Sequence, residues 1–123
     1  MSTVAIDSKQ MIQDYFKTLS GQPITEELLD RFITDESLKE HIRQAQAGFP
    51  GYEIVPDQIV AEGDLVAVRG TVHAVHKGVF AGIEPTGRKV SFGLMIFYRI
   101  SDGRIAEHWL LMDTPALMAQ LTA

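Results

Sequence analysis

Apolar residues recur at two different periods along this chain, and the change of period divides it near its middle. Met11, Ile12, Tyr15, Phe16 and Leu19 fall three and four apart, the spacing of one helix face. Before them "DSKQ" (Asp7 to Gln10) has the form of a capping box, and after them Gly21 and Pro23 end the run. Thr25 is placed to cap a second short helix carrying Leu28, Leu29, Phe32 and Ile33. Asp35 is placed to cap a third with Leu38, Ile42 and Ala45, which "GFPGY" (Gly48 to Tyr52) stops. Beyond that point the period falls to two. "YEIVPDQIVAEG" reads as a strand that is broken or at a sheet edge, because Pro56 has no amide to donate. "LVAVRGTVHAVHKGVF" is a long β-branched strand with Gly70 as a bulge or bend. "VSFGLMIFYRI" and "IAEHWLLMD" are two more, joined by "SDGR", which puts Asp102 and Gly103 in a two-residue hairpin turn. "TPALMAQL" closes the chain as a short helix, with Thr114 at the capping position and Pro115 in the first turn.

Helices first and an antiparallel meander after predict an α+β fold with the helices packed on one face of the sheet. No repeat, low-complexity stretch or linker divides the 123 residues, so one domain over 1–123 is expected.

The hairpin fixes a register. With Asp102 and Gly103 in the turn, Ser101 pairs with Arg104 and Ile100 with Ile105. Counting back, Tyr98 faces Glu107, Ile96 faces Trp109, Leu94 faces Leu111 and Phe92 faces Asp113. Residues of one parity share a sheet face. Phe92, Leu94, Ile96, Trp109, Leu111 and Asp113 are therefore expected on one surface, and Met95, Phe97, Arg99, His108, Leu110 and Met112 on the other. Both surfaces are apolar. Helices can cover one, and a second copy of the chain is expected on the other, through Met95, Phe97, Leu110 and Met112.

Asp113 stands out in this pattern as a carboxylate at the end of an apolar strand. It can cap the last helix by accepting an amide just beyond Pro115, although Thr114 already occupies that position. It can also be a carboxylate in an apolar pocket, where desolvation disfavours its charged form and suits it to proton transfer.

Composition narrows the possibilities. A net charge of −5 argues against nonspecific nucleic-acid binding. No apolar run approaches the roughly 20 residues of a membrane span, and the start lacks the basic end and apolar stretch of a signal peptide. The chain has no cysteine, hence no thiolate chemistry, and a cytoplasmic location is expected.

Three segments, in order, resemble the SnoaL-like polyketide cyclases. "AEGDLVAVRGTVHAVHKGVFAGIEPTGRKV" is similar to the family's long strand and its Pro-Thr-Gly turn. "FYRISDGRIAEHWLLMDTPALMAQL" resembles its closing hairpin, with Trp and Asp four apart, and "HIRQAQAGFPGYEI" its passage from helix to strand. Glu84 departs from a common Pro, and Ala74 from a common Gly. The family belongs to the nuclear-transport-factor-two-like superfamily, shared with ketosteroid isomerase. The resemblance implies a cone, a strongly bent antiparallel sheet with N-terminal helices on its concave face. It further implies intramolecular aldol closure of a polyketide ring without metal or cofactor, with an Asp of the last strand as acid and base. Asp113 matches that position.

Other side chains are candidates for the pocket. His73 and His76 are three apart on a strand and point to opposite faces, so no shared metal site is expected. His73 shares parity with Arg69 and Thr71, a stripe that faces either the pocket or solvent. His76, His41 on the third helix and Tyr15 on the first are further candidates, beside Trp109, Phe92, Leu94, Ile96 and Leu111 as apolar lining. Three functions are consistent with these residues. The first is a cofactor-free acid-base enzyme acting on a small hydrophobic carbonyl compound, with Asp113 as the base and His41, His73 or Tyr15 as donor. The second is a non-catalytic binding module for a small hydrophobic ligand. The third is an epoxide hydrolase, for which Asp113 and Arg69 are present but a second acid is not evident.

Overall fold

A computed structural model describes the backbone of residues 2–123 and the side chains from Ser8 onward. Three helices come first: α1 (Ser2–Leu19), α2 (Glu26–Phe32) and α3 (Glu36–Gly48). Four strands follow, β1 (Glu53–Glu62), β2 (Leu65–Val75), β3 (Lys89–Ser101) and β4 (Arg104–Met112), and then α4 (Thr114–Thr122). The strands form one antiparallel sheet in the order β1-β2-β3-β4. The expected α+β architecture is the observed one.

Local chemistry accounts for the helix starts. Thr25 accepts the Leu28 amide at 3.2 Å, and Asp35 accepts those of Ser37 and Leu38 at 3.0 and 3.2 Å. The helical backbone of α1 begins at Ser2, ahead of the capping box at Asp7, whose side chain lies outside the described residues. Ile12, Tyr15, Phe16 and Leu19 of α1 are buried, as their spacing requires. Tyr15 meets Phe32 and Tyr98 edge to face, with ring centroids 5.7 and 5.9 Å apart. This aromatic contact fastens α1 and α2 over the sheet.

The sheet alternates cleanly on β3, where Val90, Phe92, Leu94, Ile96 and Tyr98 face the helices. β1 is an edge strand, unbroken but bulged where Pro56 pairs with Gly70 and Gln58 with Arg69. The long strand ends at Val75 rather than continuing to Phe80.

The hairpin turn is as expected. Asp102 and Gly103 both have positive φ (52° and 76°), and Ser101 pairs with Arg104 and Ile100 with Ile105. One step further the expected register fails. Arg99 pairs with Glu107, so Ala106 is an extra residue on β4, a bulge. From there Phe97 pairs with Trp109 and Ile96 with Leu110. A one-residue slip turns every later side chain over. Trp109 and Leu111 consequently lie on the convex face, 50% and 75% exposed, while His108, Leu110 and Met112 turn inward. The cause is a distant contact. Ile33 and Ile105 form a parallel bridge, and the Ile105 carbonyl accepts the amides of Thr34 at 2.9 Å and Asp35 at 3.2 Å. The start of β4 is thus tied to the connection between α2 and α3, with Ile105 fully buried.

A candidate active site at the cavity mouth

The helices and the concave face enclose a cavity of about 440 Å³, within the usual range for small-molecule sites. Phe92, Leu94 and Ile96 of β3 line it, with Leu110 and Met112 of β4 and Val72 and Ala74 of β2. Tyr15, Tyr52 and Tyr98 are also among the lining residues, with the Tyr15 and Tyr98 hydroxyls hydrogen-bonded to each other. Burial pushes the Tyr15 and Tyr98 hydroxyls well above the ordinary tyrosine range and that of Tyr52 up to about 12. They are held neutral, as proton donors rather than anions. His41 of α3 is exposed yet lines the cavity, so it stands at the mouth.

His41 has a partner there. Its Nδ1 lies 3.2 Å from His108 Nε2, and His108 Nδ1 lies 2.7 Å from Asp35 Oδ2. The two imidazoles meet nearly at right angles, with centroids 5.2 Å apart. The His108 side chain is 6% exposed and that of Asp35 13%. Partial burial alone would raise the Asp35 carboxyl. Hydrogen bonds from His108, the Leu38 amide and the Ser37 side chain, together with electrostatic attraction to His108, outweigh it and hold the group below the usual carboxylate range. Asp35 is an anion that also caps α3, and its position follows from the Ile33–Ile105 bridge two residues earlier.

The expected site residues divide between the two faces. Tyr15, His41, Phe92, Leu94 and Ile96 line the cavity. Leu111 reaches only its rim, with most of its side chain outside. Trp109 is not part of the lining; it lies on the convex face beneath Arg99, whose guanidinium carbon is 5.9 Å from the ring centroid. Arg69 and His73 are also exposed on the convex face, where Arg69 donates to Gln58 at 3.5 Å. Both were candidates for the pocket on a stripe whose face the sequence left open, and that stripe points away from the helices. The epoxide-hydrolase reading loses its arginine by this placement.

His76 is fully buried but faces a loop, not the cavity. The Thr86 amide donates to its Nδ1 at 3.1 Å, so its proton is on Nε2, and its ring rests 5.3 Å from that of Phe49. It pins the β2–β3 connection to the end of α3.

Asp113 is exposed and is the N-cap of α4, its Oδ1 accepting the Ala116 amide at 3.1 Å. Thr114, expected at the cap, is the first helical residue. Met112 and Thr114 line the cavity on either side of Asp113, but Asp113 does not. The bulge is responsible: with Asp113 hydrogen-bonded to Gly93 rather than opposite Phe92, its parity is that of the convex face.

Sequence reasoning gave Asp35 only its capping role, left Tyr52 and Tyr98 out of the lining, and missed His108. The unbulged register sent it outward. A weak signal was present, because it shares its parity with Leu110 and Met112, an apolar stripe in which an imidazole needs a buried partner.

A bent antiparallel sheet closed by N-terminal helices around an apolar cavity, with titratable groups at the mouth, is the cone of the nuclear-transport-factor-two-like proteins. Within that class the SnoaL-like polyketide cyclase model matches residues 13–121, and the chain belongs to that family. Among solved structures it is similar to AclR from Streptomyces galilaeus, a proposed hydroxylase. That match has a TM-score of 0.83 and 25% identity over 96% of this chain and 82% of AclR. It is similar also to IdmH, a proposed polyketide cyclase from Streptomyces antibioticus, with TM-score 0.77 and 26% identity over 94% of this chain and 99% of IdmH. A SnoaL-like protein from Jannaschia sp. CCS1 shares the fold with TM-score 0.87 at 21% identity, covering 100% of this chain and 96% of that one. No match is found among curated proteins. No helix of the described residues is long and apolar enough to cross a membrane.

Proposed function

We propose that this chain is a cofactor-free acid-base enzyme that acts on a small hydrophobic carbonyl compound. The reaction would be an intramolecular aldol closure, as in a polyketide cyclase, or a related isomerisation or dehydration. One observation carries the reading: an apolar cavity of ligand size has its titratable groups confined to the neutral tyrosines of its wall and the histidine at its mouth. An apolar wall holds a flat ring system. A neutral hydroxyl donates to a carbonyl oxygen and stabilises the enolate that forms when a neighbouring carbon loses its proton. The family and the likeness to IdmH support the same chemistry. The convex patch of Met95, Phe97, Trp109 and Leu111 we assign to contact with a second copy of the chain.

The test uses 2-tetralone, a bicyclic ketone with acidic protons beside its carbonyl. The protein should bind it and should speed exchange of those protons into deuterium oxide, followed by proton NMR. Ala74→Phe, which fills the cavity from β2, should fold and lose both. Binding without exchange would leave a binding module in place of an enzyme. An absence of binding would overturn the cavity assignment itself.

A further inference from the structure

We infer that Asp35, His108 and His41 form a proton relay, in which Nε2 of His41 is the atom that takes the proton from the bound carbonyl compound. The inference rests on the acid-base reading above and names the base it requires.

The hydrogen-bond partners assign the protons. Asp35 Oδ1 accepts the Ser37 and Leu38 amides, and Oδ2 faces His108 Nδ1 at 2.7 Å. A carboxylate has no proton to give, so His108 Nδ1 carries the hydrogen. In neutral His108 the other nitrogen, Nε2, is then a lone pair. At 3.2 Å it accepts from His41 Nδ1. His41, with its proton on Nδ1, presents an unprotonated Nε2. Only one of the two rings can reach a ligand, since His41 lines the cavity and the His108 side chain is buried behind it.

The step balances within these groups. His41 Nε2 removes a proton from the carbon beside the carbonyl, and the C–H electron pair remains on the substrate as an enolate. The Nδ1 proton of His41 passes to His108 Nε2. The positive charge comes to rest on His108 against the Asp35 carboxylate, and His41 is neutral with its proton on Nε2. Reversing the two transfers returns a proton to carbon or to the new alkoxide. Nothing is oxidised and no co-reactant is consumed. His41 is the catalytic residue of this relay; His108 and Asp35 position it.

Asp35→Asn tests the assignment because it should reverse every proton. Asparagine caps a helix about as well as aspartate, so α3 should persist. Its amide would donate to His108 Nδ1, moving the His108 proton to Nε2. That proton would be donated to His41 Nδ1, leaving His41 Nε2 protonated and useless as a base. Long-range ¹⁵N–¹H NMR of the imidazoles reads this without any substrate. In the wild type both rings should be Nδ1–H tautomers; in Asp35→Asn both should be Nε2–H, with unchanged circular dichroism. Tetralone exchange should fall by about a hundredfold or more in Asp35→Asn and in His41→Gln. The relay is overturned if wild-type His41 is the Nε2–H tautomer, or if Asp35→Asn leaves both tautomers in place. Exchange that survives in His41→Gln and stops in Asp113→Asn overturns the relay while leaving the acid-base reading intact. Wild-type protein that binds tetralone without exchanging it overturns both.

Discussion

Replacing Asp113 distinguishes a helix cap from a catalytic base by two measurements on the same protein. The carboxylate is exposed, and its described bond is the one to the Ala116 amide at 3.1 Å. Asp113→Ala removes that acceptor at the start of a nine-residue helix, and loss of a cap costs about 1 kcal/mol. Unfolding entropy is about 2.1 cal/mol/K per residue. Over 123 residues this gives roughly 0.26 kcal/mol/K, so the melting temperature should drop by about 4 °C. Asp113→Asn keeps an acceptor of equal capping strength and should melt with the wild type. Exchange of tetralone protons per folded molecule should be unchanged in both. Melting is followed by far-ultraviolet circular dichroism and exchange by NMR at a temperature where all three proteins are folded. An Asn variant that melts normally but loses exchange a hundredfold would refute the reasoning, because only the titratable proton would then have been removed.

The three tyrosines of the cavity predict behaviour in alkali. Their folded values are raised by burial, to about 12 for Tyr52, while unfolded tyrosine titrates near about 10. Their contribution to stability is therefore complete below about pH 10 and is lost as pH rises from there through the folded values. Tyrosinate absorbance should appear together with unfolding; absorbance that rises while the fold is intact would contradict the burial. Deleting Ala106 should abolish the β4 bulge and leave the pairing beyond it unchanged, because Glu107 then follows Ile105 directly and still faces Arg99. Trp109 should keep its exposed emission and the His108–Asp35 hydrogen bond should persist; a blue shift with loss of that bond would mean that Ala106 is not the extra residue. Sedimentation should show a dimer at micromolar concentration and a monomer for Trp109→Glu on the convex patch, whereas a monomeric wild type would remove the assembly from the proposal.

The helices, their caps at Thr25 and Asp35, and the Asp102–Gly103 turn were legible because each depends on residues within a few positions of one another. So was the cavity-facing parity of Phe92, Leu94 and Ile96, which follows from alternation along one strand. The face of β4 was not legible. Nothing near Ala106 signals a bulge, since the contact that selects it is the docking of Ile33 to Asp35 on the Ile105 carbonyl. That single residue accounts for the misplacement of Trp109 and Leu111 and for the omission of His108. For Arg69 and His73 the sequence left two faces open, and only the position of the helices could choose. The Asp113 cap competes in sequence with one at Thr114, because helix boundaries shift by a residue without changing the local pattern.

The bond between Asp35 and His108 joins residues 73 positions apart. The helical half and the final hairpin can each acquire most of their local structure independently of this bond, but the paired imidazoles cannot exist until the two have docked. Contacts of such long sequence separation form at the expense of a large loop-closure entropy and tend to be late in folding. The chemistry of the mouth is therefore a reporter of completed assembly. A collapsed species whose walls have formed, but in which the Ile105 end of β4 has not docked on the connection between α2 and α3, would hold hydrophobic molecules and leave their protons alone. In a refolding experiment, ligand capture should precede the return of proton exchange, and the interval between them would time the closing of the chain on itself.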